Sequence, residues 1–149
     1  MTLRDSRPIQ ILLVEDNPAD ARLTQEAIED TDFRHQLHLA EDGEEAMEFL
    51  YQEGEFADAP RPDLILLDLN LPGMDGREVL AEIKSDENLK SIPVIVLTTS
   101  TAQQDLLYSY GLRANSYVNK PIDRDRFNDM IKSVMEYWIN ISTLPPGCQ

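Results

Sequence analysis

A run of apolar residues that ends on a single carboxylate constrains this chain more than any other stretch. Residues 64–67 read Leu-Ile-Leu-Leu, Asp68 follows them, and Pro72 and Gly73 mark a turn. A continuous apolar run bounded by turn residues predicts a strand that is buried on both faces of a parallel sheet. Asp68 should therefore lie at the carboxyl end of a core strand, where open α/β sheets bind their ligands. The plainer alternative is that Asp68 caps the following helix.

The same pattern of a strand followed by a helix recurs along the chain. Strands are predicted at residues 9–14, 36–40, 64–69, 92–97 and 116–118. A helix is predicted after each strand. The first begins at Pro18, the second begins at about residue 46, and the third spans 76–85. The fourth ends at Gly111, and the fifth spans 124–141. Strands that alternate with helices imply a parallel sheet covered by helices on both faces. We therefore expect an α/β fold, a (βα)5 doubly wound, flavodoxin-like domain with a five-stranded sheet.

Length and composition favour one domain and exclude some functions. The 149 residues suit a single core, which we place in residues 1–141, with a tail at 142–149 and no output domain. A net charge of -15 argues against direct nucleic-acid binding, because such a surface repels phosphate backbones. The chain has no membrane-spanning apolar run and no secretory leader, and its lone Cys148 cannot form an internal disulfide. These features predict a cytoplasmic protein.

Polar residues follow four of the predicted strands and should meet at one edge of the sheet. Glu15 and Asp16 follow the first strand, Asp68 lies at the carboxyl end of the third, and Thr98 and Lys120 follow the fourth and the fifth. Crowded carboxylates repel one another unless a cation is present, and a few oxygen ligands suit Mg²⁺. Phosphoryl transfer onto Asp68 is the chemistry that uses all five residues. Taken singly, the acidic pair could cap the first helix, and Thr98 and Lys120 could be ordinary polar strand ends.

The strand-end motifs resemble those of the receiver domain of two-component response regulators. They read Leu-Val-Glu-Asp-Asn at 13–17, Leu-Leu-Asp-Leu-Asn-Leu-Pro at 66–72, Leu-Thr-Thr at 97–99 and Tyr-Val-Asn-Lys-Pro at 117–121, together with Gly76. The resemblance covers residues 9–138 and implies the receiver fold. A receiver domain is not an enzyme in the ordinary sense, although it assists its own phosphorylation and dephosphorylation.

The resemblance also implies a role for each matching position. Glu15, Asp16 and Asp68 would bind Mg²⁺, for which Mn²⁺ can substitute, together with the backbone carbonyl of Asn70. Asp68 would take the phosphoryl group from a sensor histidine kinase and become 4-aspartylphosphate. Thr98 and Lys120 would contact that group, and Tyr117 would be the aromatic switch that turns inward with Thr98.

Other stretches are similar to the small receivers that partner cyanobacterial phytochromes. These are Arg-Pro-Asp-Leu at 61–64, the helix that reads Gly-Arg-Glu-Val-Leu-Ala-Glu-Ile-Lys at 76–84, and Leu-Pro at 144–145. The similarity predicts a phytochrome-type kinase as the partner.

Rival functions leave different signatures in the sequence. An aspartate-nucleophile phosphatase would have a second carboxylate two residues after the nucleophile, where this chain has Asn70. A flavin binder would need phosphate-cradling groups after the first strand, whereas Glu15 and Asp16 repel phosphate. A transcription factor would need a basic recognition module. An interaction module that is never phosphorylated remains an alternative.

The last helix carries more apolar surface than one sheet face can cover. A helical wheel predicts a core-facing stripe that is widened by flanking residues to roughly 200°, whereas about 100° suffices to pack on a sheet. The stripe comprises Phe127, Met130, Ile131, Val134 and Trp138, flanked by Met135 and Ile139 on one side and Tyr137 on the other. We expect a homodimer through this helix and the Tyr117 strand. The alternative is that the tail folds back over the helix.

Overall fold

The five-stranded parallel sheet expected from the sequence forms the centre of the molecule. A computed structural model describes residues 8–31, 33–71, 73–98, 105, 107–109, 111–112, 114–119 and 124–142, with the backbone alone at 98, 119, 124 and 139–142. Its strands are β1 (Ile9–Val14), β2 (His35–Ala40), β3 (Leu64–Asp68), β4 (Val94–Thr98) and β5 (Ser116–Asn119). All neighbouring strands pair in parallel, in the order β2-β1-β3-β4-β5. This order confirms the doubly wound α/β fold.

Helices follow the strands as the sequence predicts. They are α1 (Pro18–Glu29), α2 (Gly43–Tyr51), α3 (Gly76–Ser85) and α4 (Arg124–Ser142), with a short 3-10 turn at Gly54–Phe56. Between β4 and β5, the described residues Asp105 and 107–109 are helical. That segment ends at Gly111, whose φ of 72° suits glycine, and the Leu112 N–H bonds to the Leu107 carbonyl at 2.9 Å. The predicted glycine cap is confirmed.

Two apolar layers cover the two faces of the sheet. Successive residues of a strand point to opposite faces, so β1 sends Leu12 and Val14 to one layer and Ile11 and Leu13 to the other. Helices α2 and α3 cover the first layer, and α1 and α4 cover the second. No helix among the described residues combines the length and apolar character needed to cross a membrane.

Local caps at the helix starts decide two alternatives that the sequence left open. The Asn17 side chain accepts hydrogen bonds from the Ala19 and Asp20 N–H groups, so Asn17 caps α1. Asp75 caps α3 within a capping box that it forms with Glu78. Glu15, Asp16 and Asp68 are therefore not the caps of these helices.

The orientation of α4 corrects the predicted stripe. Among its described side chains, Phe127, Ile131 and Met135 are fully buried, whereas Met130, Val134 and Trp138 are half-buried and pack against the same core. The placement of Met135 on the flank is wrong, because packing against α1 and β5 turns the helix so that Met135 faces the core. The side chain of Ile139 and the tail at 143–149 lie outside the described residues.

Candidate metal centre

The strand register brings the acidic residues of two adjacent strands to one edge of the sheet. Val14, the last residue of β1, pairs with Leu67 of β3. Glu15 and Asp16 leave β1 directly after this pair, and Asp68 ends β3 beside them. The Glu15 N–H still bonds to the Ala40 carbonyl at 2.9 Å, which extends the sheet by one residue. The predicted convergence of these carboxylates is confirmed.

The carboxylates form a compact group of oxygen donors. One oxygen from each of Glu15, Asp16 and Asp68 lies within 4.8 Å of the others. Glu15 is 1% exposed and Asp68 is 2% exposed, whereas Asp16 is open to solvent. Burying carboxylates this close together is unfavourable without a compensating cation. Because hard cations prefer a few carboxylate oxygens and keep some of their water, the group fits Mg²⁺ or Mn²⁺.

Backbone N–H groups orient the two buried carboxylates. The Asn70 N–H donates to Asp68 Oδ1 at 3.0 Å, and the Asn17 N–H donates to Glu15 Oε2 at 3.3 Å. Each donor lies two residues after its acceptor, at the point where the chain turns away from the strand. Asn70 is exposed at this turn, next to the acidic group, where its carbonyl is predicted to join the metal ligands.

The loop after β3 packs closely against the strand that it leaves. A Cβ atom on Gly76 would lie 2.5 Å from the Asp68 carbonyl oxygen and 2.5 Å from Leu69 Cα. The Gly76 N–H also bonds to the Leu69 carbonyl at 3.2 Å.

The sequence analysis did not predict the packing role of Gly76 or the caps at Asn17 and Asp75. A capping box, an aspartate with a glutamate three residues later, was the signal that could have identified Asp75.

The remaining predicted site residues come from β4, β5 and the residue that follows β5. Thr98 ends β4 and pairs through its backbone with Asn119, while the Thr98 side chain and Lys120 lie outside the described residues. Tyr117 is half-buried on β5, and its hydroxyl oxygen accepts a hydrogen bond from the Ala114 N–H at 3.0 Å. The Tyr117 ring meets the Tyr108 ring edge-on, with their centroids 5.6 Å apart. Thr98 thus lies on the strand next to β3, and Tyr117 lies on the strand beyond it.

Comparisons with known proteins agree with this architecture. The model of one protein family, described as the response regulator receiver domain, matches residues 11–132. The chain is 48% identical to the response regulator Rcp1 of Synechocystis, over 97% of this chain and 99% of that protein. It is also 42% identical to the probable methanogenesis regulatory protein FilR2 of Methanothrix harundinacea, over 93% of this chain and 88% of that protein.

Solved structures show the same similarity. The crystal structure of the phosphorylated cyanobacterial phytochrome response regulator RcpA superposes with a TM-score of 0.84 at 52% identity, covering 93% of this chain and 99% of that one. The Mn²⁺-bound form of Rcp1 superposes with a TM-score of 0.82 at 49% identity, with the same coverage. Both similarities extend over nearly the whole of each chain.

Proposed function

The chain belongs to the response regulator receiver domain family, the phosphoryl-accepting module of two-component signalling, and on that premise we propose that Asp68 is its phosphoacceptor. One observation carries the proposal: Asp68 is buried at the end of a central strand, with carboxylate oxygens of Glu15 and Asp16 within 4.8 Å. Such a concentration of negative charge is costly to fold and is typical of functional sites.

The proposed reaction is an in-line displacement at phosphorus. A carboxylate oxygen of Asp68 attacks the phosphorus of a kinase phosphohistidine and forms an O–P bond as the P–N bond breaks. The electron pair of that bond returns to the imidazole nitrogen, which takes up a proton. The Asn70 N–H bond to Oδ1 restrains rotation of the Asp68 carboxyl group, and this lowers the entropic cost of attack.

A divalent metal ion supports this chemistry when it is bound. Glu15, Asp16, Asp68 and the Asn70 carbonyl are proposed to hold Mg²⁺, which would neutralise charge on the transferred group. Similarity to the Mn²⁺-bound Rcp1 structure supports the binding of a divalent cation at this site. The donor set consists only of oxygen atoms, which supports Mg²⁺ as that cation. Thr98 and Lys120 are proposed to contact the phosphoryl oxygens, and the pairing of Asp68 with Leu97 supports this by placing β4 beside the acceptor.

Phosphorylation by a small phosphodonor tests the assignment of Asp68. The wild-type protein, incubated with acetyl phosphate and Mg²⁺, should gain one phosphoryl group by mass, and the group should be labile to base, as acyl phosphates are. Asp68→Asn should gain none, whereas Asp58→Asn, an exposed acid outside the site, should match the wild type. Equal labelling of Asp68→Asn would overturn the proposal.

A phytochrome-type sensor histidine kinase is the proposed donor. Similarity to RcpA, described as a cyanobacterial phytochrome response regulator, supports this choice over other kinases. Purified candidate kinases, loaded with labelled phosphate and mixed with this protein, provide the test. Transfer from a phytochrome-type kinase should be faster than transfer from an unrelated histidine kinase; equal rates would contradict the assignment.

Self-association through α4 and β5 is also proposed. Tyr137 on α4 is 59% exposed and Tyr108 is 42% exposed, and aromatic side chains of this kind are enriched at protein interfaces. The Tyr137 ring packs edge-on against Trp138, with centroids 5.1 Å apart, which presents a preformed aromatic pair. A symmetric dimer is the simplest assembly that would cover it. Tyr117 on β5 is proposed as the switch that links this face to the phosphoryl group.

A further inference from the structure

The start of α2 presses against the loop that follows the phosphoacceptor strand. A Cβ atom on Gly43 would lie 2.3 Å from the Met74 carbonyl oxygen and 2.9 Å from Met74 Cβ, distances that no side chain can occupy. Gly43, the first residue of α2, is buried. The backbones of α2 and of the loop are therefore in direct contact.

Glu44, the next residue of α2, adds a polar contact to the same loop. Its Oε1 accepts a hydrogen bond from the Met74 N–H at 3.4 Å, which is long. Both carboxylate oxygens also lie 3.3 Å from the position that a Cβ of Gly73 would take, so the carboxylate rests against the Gly73 backbone. Gly73 has a φ of 64°, in the left-handed region that favours glycine.

The contact with α2 holds one part of the loop that follows β3. The other end of the loop is held by the Gly76 N–H bond to the Leu69 carbonyl and by the Asp75 cap on α3. The span between these anchors includes Asn70, whose N–H binds Asp68 Oδ1. Gly73 and Met74 follow Asn70 by three and four positions in the sequence, so a displacement of these two residues away from α2 would pull on Asn70 through the chain.

We propose that Glu44 is a positioning residue for the phosphoryl-acceptor loop: by holding Met74 it keeps Asn70 in place beside Asp68 and so raises the affinity of the site for a divalent cation. The inference rests on the proposed function and deepens it. Glu44 is exposed and does not belong to the cluster formed by Glu15, Asp16 and Asp68. Its effect on metal binding therefore acts through the loop.

The rival explanation is that Glu44 only adds negative charge to an acidic surface. Glu48 provides a matched control, since it lies one turn further along α2, is also exposed, and carries the same charge. Glu44→Ala and Glu48→Ala therefore remove the same charge from one helix. Glu44→Gln removes the charge but keeps an oxygen that can accept the Met74 N–H bond.

Calorimetric titration of the full chain with Mn²⁺ measures the effect on affinity. Glu44→Ala should weaken binding about two- to tenfold, the range expected for the loss of one modest hydrogen bond. Glu44→Gln and Glu48→Ala should remain within about twofold of the wild type. In the metal-free protein, exchange of the Met74 amide proton should be faster in Glu44→Ala than in the other two variants.

Two outcomes would overturn the inference. In the first, Glu44→Ala and Glu48→Ala bind Mn²⁺ equally and show the same Met74 exchange, which would reduce Glu44 to a surface charge. In the second, Glu44→Gln is as weak as Glu44→Ala, which would leave the hydrogen bond without a role. Failure of the proposed function would look different, because the wild type would then not be phosphorylated on Asp68 whatever the behaviour of Glu44.

Discussion

The backbone N–H of Asn70 donates a hydrogen bond to Oδ1 of Asp68 at 3.0 Å. The carboxylate of the proposed phosphoacceptor is thus bonded to the loop that leaves its own strand, and this bond restrains the orientation of the carboxylate. Gly76 and the start of α2 hold the loop from two sides. Changes in these neighbours should therefore be detectable in metal binding and phosphorylation.

Replacing Asp68 with Asn should stabilise the metal-free protein and remove its response to Mg²⁺. The substitution relieves repulsion from Glu15 and Asp16 while an amide oxygen can still accept the Asn70 N–H bond, so stability should rise by about 1 kcal/mol or more. Wild-type protein should instead gain about 1.4 kcal/mol at a Mg²⁺ concentration tenfold above Kd. Thermal unfolding with and without Mg²⁺ measures both effects. If Mg²⁺ stabilised Asp68→Asn as much as the wild type, Asp68 would not be part of the metal site.

Removing Asp16 should abolish the response to Mg²⁺ and leave the stability of the metal-free protein nearly unchanged. Asp16 is exposed, so Asp16→Ala should leave the metal-free melting temperature within a few degrees of the wild type. The stabilisation by millimolar Mg²⁺ should disappear, because the site loses a proposed ligand. Asp58→Ala is the control, and it should keep the full Mg²⁺ response. A persistent response in Asp16→Ala would place the metal elsewhere.

Gly76→Ala should damage the site, whereas Gly111→Ala should affect only stability. The Cβ added at position 76 would lie 2.5 Å from the Asp68 carbonyl oxygen, so the loop has to move at a cost of about 1–3 kcal/mol, and metal affinity should fall with it. Gly111 has open space around it but a φ of 72°, so its substitution should cost about 1–2 kcal/mol of backbone strain. Denaturant unfolding and Mn²⁺ titration of both variants provide the test. Equal Mn²⁺ affinities would show that the close packing is irrelevant to the site.

His38 should make folding stability fall as the solution becomes acidic. Burial lowers the pKa of His38 below its usual 6.5, and its Nε2 lies 2.8 Å from Gln10 Oε1. The unfolded chain then binds more protons than the folded chain between the lowered pKa and 6.5, so stability declines as pH falls through that window. His38→Gln should flatten the decline. In a proton NMR titration, the His38 ring resonance can be assigned because it is missing from His38→Gln. Its titration midpoint should lie below pH 6.5, and a midpoint at or above 6.5 would contradict the prediction.

Tyr137→Glu should dissociate the proposed dimer without unfolding the monomer. Tyr137 is 59% exposed, so the change leaves the core intact, but it places a charge at the proposed interface. Sedimentation velocity at micromolar concentration should show a dimer for the wild type and a monomer for the variant. Tyr51→Glu, an exposed tyrosine on α2, should leave the association unchanged. A wild-type monomer would contradict the dimer.

The sequence alone was sufficient to predict the succession of strands along the chain and the cluster of carboxylates at one edge of the sheet. The apolar runs that end at Val14 and Asp68 identify core strands, because only a strand buried on both faces reads as an unbroken apolar segment. Parallel strands then bring Glu15, Asp16 and Asp68 to one edge, since their carboxyl ends must coincide. These conclusions depend on local pattern and on topology, both of which are written along the chain.

Only the tertiary structure decided how the elements meet. The orientation of α4 about its axis depends on its contacts with α1 and β5, which is why Met135 proved to be a core residue. The contact of Glu44 with Met74 joins residues 30 positions apart and has no periodic signature in the sequence. Periodicity specifies which face of an element is apolar, but the fine rotation of a helix and the contacts between loops follow from packing, where small differences in side-chain shape decide.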